Sequence, residues 1–254
     1  MRKMRNPQDL PLFTALAGIV GLTLRRQLYI WGPDDKGLLQ TGHPLALMLW
    51  LVTAVVLAAL AVKVWKSKGT NSYEANFAPS RAAAAGHILA GAGFALTALL
   101  NEPLLRSALG SGWTVLGILS GPCLMLAGIA RAGGKKPFFG LYMVPCLFLV
   151  LHVIDHYQLW SGDPQIHNYV FELLAAMALI LFAYHNAAFC VDSGSRRMQL
   201  FSGLAALYLG LTALGRMEHL FLYAGGLAWV VSGLCALVPK QAGSEEGETA
   251  HDQG

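Results

Sequence analysis

The sequence predicts an all-α, polytopic integral membrane helix bundle, and three observations carry that expectation. Of 254 residues, 55% are hydrophobic and only 13% charged, about half the charged fraction of a soluble domain. Apolar runs recur along the chain, several reaching the roughly 20 residues that cross a bilayer core. The basic residues fall in the short segments between those runs rather than on one stripe. This is the distribution that orients a chain across a membrane, and nucleic acid is not an expected partner. The lipid bilayer is.

Taken in order, the expected spans are about eight: residues 10–30, 45–65, 82–102, 113–132, 138–157, 168–190, 197–215 and 219–238. In the first, Leu10–Leu24 is followed by Arg25 and Arg26, whose charges must snorkel to the headgroups or pair with Asp34 and Asp35. A cleavage site would need small residues where this Arg pair stands, so the segment reads as a retained span. The third run is crowded with Ala and Gly, including Gly86, Gly91 and Gly93, which let helix backbones approach closely where lipid gives no hydrophobic drive. Ser80 is positioned to cap it. Pro145 interrupts the fifth run as a packing kink. The seventh run ends at Gly215–Arg216, and after Lys240 the chain is polar, so 241–254 reads as a disordered tail behind a single domain, 1–240.

Loop charges orient the bundle. With the N-terminus inside, the inner segments hold thirteen of the 18 Lys and Arg, and the outer segments hold Arg25, Arg26, Lys36, Arg106 and Arg216. Both termini are therefore expected to be cytoplasmic, in the cell's plasma or inner membrane. Trp113, Tyr157, Trp160 and Tyr169 fall at outer ends, where an aromatic belt would lie. The segment Leu12–Thr23 echoes Leu200–Thr212, each followed by an Arg and then by a His at the head of the next run, His43 and His219. A duplicated hairpin is one reading of that echo. Cys123, Cys146, Cys190 and Cys235 are widely spaced in apolar runs, as buried thiols are, with no disulfide or cysteine metal site implied.

Chemistry concentrates at the outer ends. His43, Glu102, His152, Asp155, His156, His167, Glu172, Glu218 and His219 all fall there, and ionisable groups at a bilayer edge are functional candidates. A small polar or ionic ligand in an outward vestibule is the expectation, with His43, Glu102, His152, Asp155, His156, Glu172 and His219 lining it. His152, Asp155 and His156 stand at i, i+3 and i+4, on one helix face. Two imidazoles a turn apart can chelate a divalent metal, and Glu172, at a similar depth on the next run, is the expected third ligand. The same residues also suit a proton site or a hydrogen-bonded structural cluster. Between binding or transport, a metal-dependent hydrolase, a quinone- or haem-associated anchor and a structural subunit the sequence does not choose. His87 and His185, toward the inner side, are the pair a haem would use, or else two bonded structural imidazoles. No nucleotide-binding loop or nucleophile elbow is present.

Glu102-Pro103-Leu104-Leu105-Arg106 and Phe148-Leu149-Val150-Leu151-His152 superficially resemble two short motifs of the CPBP intramembrane proteases, which also have about eight spans. The resemblance covers ten residues. Asn101 stands where that family doubles the glutamate, and Pro103 falls inside the first motif, so no catalytic role is carried over.

Overall fold

Residues 9–33, 42–65, 71–101, 108–162, 168–217 and 219–237 are described by the computed structural model. Among them the chain is mostly helical, with short connections between the helices and an isolated bridge of Phe77 with Leu237. The helices are α1 (Asp9–Trp31), α2 (Pro44–Trp65), the short α3 (Tyr73–Asn76), α4 (Arg81–Leu100), α5 (Ala108–Ala132), α6 (Gly140–Ser161), α7 (Val170–Cys190), α8 (Arg196–Ala213) and α9 (Leu220–Cys235), with a 3-10 turn, Leu214–Arg216, after α8. Each run expected to span coincides with a helix. Six of these helices are long and apolar enough to cross a membrane: α2, α4, α5, α6, α7 and α8. Outside that set stand α1, which carries Arg25 and Arg26, and α9, which has 16 residues. Glu102, His167, Glu218, the loop 34–41 and the tail after Lys240 lie outside the described residues.

Close backbone approach builds the centre. A Cβ added at Gly91 would lie 2.7 Å from the Gly121 carbonyl on α5, and one at Gly93 would lie 2.4 Å from the Phe221 carbonyl on α9. Only glycine admits α4 between its two neighbours at that spacing. Ser80 caps α4 as expected, its hydroxyl accepting from the Ala83 N–H at 3.1 Å. The pairings also set direction. Gly91 meets Gly121 while Gly128 meets Ala84, so α4 and α5 are antiparallel. Gly117 meets Phe148 and Gly112 faces Leu151, so α5 and α6 are antiparallel too. Gly210 meets Leu227 and Gly203 meets Leu234, which reverses α9 against α8. The two echoing segments touch: Gly18 meets Leu211 and Gly21 meets Thr212, so α1 and α8 run parallel.

The core is aromatic. Phe94, Phe148, Phe171, Phe182, Trp113, Tyr142, Tyr208, Tyr223 and Trp229 are all sealed from solvent. Large apolar side chains also cover the outside, among them Leu47, Leu51, Val55 and Val62 on α2 and Leu119, Leu126 and Ile129 on α5. An apolar exterior over an apolar interior is the surface of a membrane protein. The four cysteines are free thiols.

Candidate functional site

The antiparallel order brings the end of α6, the starts of α7 and α9 and the end of α8 to one end of the bundle. Helix α6 places His152, Asp155 and His156 there, with 0%, 1% and 5% of their surfaces exposed. The i, i+4 spacing stacks the two rings, centroids 4.2 Å apart. The third ring comes from His219, which caps α9. Its edge meets both others, at 5.0 Å from His152 and 4.5 Å from His156, with interplanar angles of 85° and 88°. One ligand nitrogen from each of the three lies within 4.8 Å of the others.

Local chemistry fixes the rings. His156 holds its Nδ1 3.0 Å from the His152 carbonyl oxygen, one helical turn back. The carbonyl can only accept, so Nδ1 carries the proton and Nε2 keeps its lone pair. Asp155 Oδ2 lies 3.7 Å from that same Nδ1. The ring of His152 stacks on Trp113, with centroids 6.4 Å apart and planes 24° apart. Trp113 therefore does not sit in the interfacial belt expected for it: it is fully buried against His152. The backbone at His219 is left-handed, φ 49° and ψ 42°, and so is that of Met217, φ 60° and ψ 9°. Two such residues in one turn are uncommon outside glycine and mark a conformation imposed by its surroundings.

The ligand set expected from the sequence, His152, His156 and Glu172, is not the set brought together. Glu172 is turned to Arg25, whose Nη2 donates to Oε1 at 2.8 Å and Oε2 at 2.6 Å with both side chains buried. Arg25 also donates to the carbonyls of Ala213 at 3.2 Å, Thr212 at 3.4 Å and Asn168 at 3.2 Å. It does not snorkel, being fully buried. It is an internal strut between α1, α7 and the end of α8. The Tyr223 hydroxyl donates to the Glu172 carbonyl at 3.0 Å, and Arg216 donates to the Asn168 carbonyl, tying the strut to α9 and to the 3-10 turn before His219. His43, expected in the vestibule, serves at the head of α2: its Nδ1 accepts from the Leu45 N–H at 3.3 Å.

At the other end of the bundle His87 has 0% of its surface exposed. Trp229 Nε1 donates to its Nε2 at 3.1 Å, the Tyr142 hydroxyl meets the same nitrogen at 3.1 Å, and Nδ1 faces the Ala83 carbonyl at 2.6 Å. Both nitrogens are engaged by protein groups, the arrangement of a hydrogen-bonded structural imidazole. Arg131, counted from the sequence among the inner charges, is buried there with its guanidinium 4.3 Å above the Phe77 ring.

No protein-family model matches the chain, and no curated protein or solved structure matches it.

Proposed function

We propose that the chain is a multi-pass protein of the cell's plasma or inner membrane, with eight spans and both termini cytoplasmic, that binds or carries a small polar or ionic ligand at its outward end. The observation that carries this reading is the cluster of three imidazoles in a buried polar group at one end of a largely apolar bundle: His152, Asp155 and His156 on α6, His219 before α9, and the Arg25–Glu172 pair beside them. Buried polar side chains are expensive in a membrane and are retained where they meet a ligand, an ion or a proton. In this reading the imidazoles contact the ligand, Asp155 orients His156, and Arg25 with Glu172 holds the frame.

The test is reconstitution of the full chain in liposomes, following uptake of protons and of mono- and divalent cations, together with equilibrium binding of the same solutes. The H152A/H156A double variant is expected to abolish whichever signal the parent shows. Parent-level uptake and binding in a correctly folded double variant would remove the proposal.

A further inference from the structure

We infer that His152, His156 and His219 form a binding site for one divalent transition-metal ion of the zinc type. This rests on the reading above, that the outward polar end receives a small ligand, and names the ligand's class.

Three features converge. First, the imidazoles come from two separate helices, yet their ligand nitrogens lie within 4.8 Å of one another. A tetrahedral zinc with Zn–N bonds of about 2.0–2.1 Å holds its nitrogens about 3.3 Å apart, so the three need only a modest side-chain closure. Second, the donor atoms are set for a cation. The Nδ1 proton of His156 is held by the His152 carbonyl, which aims its lone pair from Nε2. That carbonyl is the outer acceptor that metal-binding imidazoles commonly keep, and Asp155, 3.7 Å from the same nitrogen, adds a nearby negative charge rather than a hydrogen bond. His219 Nδ1 is buried and has no hydrogen-bond partner among the described residues, an unspent nitrogen beside two other rings. Third, His219 is delivered on a left-handed backbone, φ 49°, which few residues other than glycine adopt although histidine tolerates it better than most. A turn that merely reversed the chain between α8 and α9 would do better with glycine or asparagine. The strain is explained if the imidazole is what the position is for.

The donor set selects the ion. Three neutral nitrogens suit zinc, cobalt, nickel or copper and are poor ligands for magnesium or calcium, which take oxygen. Three protein ligands leave a fourth tetrahedral position for solvent or another small donor.

The full chain purified in detergent and stripped with chelator should bind one Zn²⁺ per chain by equilibrium titration. Co²⁺ should give the visible absorption of a tetrahedral nitrogen site, which Zn²⁺ then bleaches. The decisive variant is H219G, which relieves the left-handed backbone while deleting the ligand, so it should fold at least as well as the parent and still lose affinity. The loss should exceed the roughly 10–100-fold that an outer-sphere partner is worth. D155N should fall within that smaller range, and H185A, toward the far end of α7, should bind as the parent does. Parent-level metal affinity in H219G overturns the inference. So does the absence of any Zn²⁺ or Co²⁺ binding by the parent. In that last case, cation or proton uptake that H152A/H156A abolishes would leave the broader reading standing without the metal, whereas loss of both would remove the two together.

Discussion

His87 and His152 are both completely buried histidines within long helices, at opposite ends of the bundle, and both face an aromatic neighbour. Around His87 every ring nitrogen has a protein group waiting: an indole N–H, a phenol and a backbone carbonyl. Around His152 the nearest polar rings are two more imidazoles. A buried imidazole whose nitrogens are spent on indole, phenol and carbonyl is part of the scaffold. A buried imidazole grouped with others of its kind has gathered lone pairs, which packing alone does not ask for. Burial is the same in the two places. The partners differ, and they separate scaffold from site.

The largest effect that would sharpen this contrast lies in the strut beside the second group. Arg25→Ala leaves the Glu172 carboxylate buried without its cation and should cost about 3–5 kcal/mol of unfolding free energy in detergent. It also releases the Thr212 and Ala213 carbonyls, loosening the turn that delivers His219, so metal affinity should fall as well. The His87 group, at the other end, should keep its tryptophan environment, read by Trp229 fluorescence. An R25M/E172L double variant should be more stable than either single change, because no buried charge is left alone. A stable R25A protein would show that α1 does not hold the site.

Next in size is His87→Ala. It removes the acceptor of the Trp229 N–H and a partner of the Tyr142 hydroxyl and opens a cavity, a loss of about 2–4 kcal/mol. Unfolding in detergent measures it. Co²⁺ binding should not change, and a drop in Co²⁺ affinity would break the division between scaffold and site.

The helices were legible because long apolar runs leave little choice, and a helix stands within a few residues of each expected position, six of them long and apolar enough to cross a membrane. The grouping of His152, Asp155 and His156 on one helix face was legible from helical spacing alone. What sequence could not supply was partnership between helices. Depth along the membrane normal put Glu172 beside His152, but depth says nothing about which way around the bundle a side chain turns. Glu172 turned to Arg25 on α1, a contact set by the parallel packing of α1 on α8. Trp113 misled for a related reason: a Trp near a helix end suits the headgroup region, yet here that end is packed against α6. A signal for His219 was present. It heads the last run, but the left-handed turn that brings its ring onto His152 and His156 cannot be read from residue types alone.

The smallest effect tests the far end of the bundle, where polar contacts should be structural and pH-sensitive without touching the metal site. Asp192, in the turn between α7 and α8, accepts from Lys136 and from the Tyr73 N–H at 2.9 Å. These hydrogen bonds, that from Lys136 foremost, hold its carboxyl below the usual carboxylate range. A depressed folded-state value means the carboxylate's contribution is complete above the unfolded value of about 3.9. It is lost as pH falls through the lower, folded value, where the protonated group gives up Lys136. Asp192→Asn keeps a residue type that tolerates the left-handed φ of 54° and keeps an acceptor for Tyr73, but removes the charge. Above about pH 5 the parent should therefore melt slightly later than D192N, and the two curves should converge toward pH 2. Thermal unfolding across that range checks it, with Co²⁺ binding near neutral pH unchanged in the variant. Parallel melting profiles at every pH would mean that the Lys136 contact contributes nothing to holding the α5–α6 connection against the α7–α8 turn.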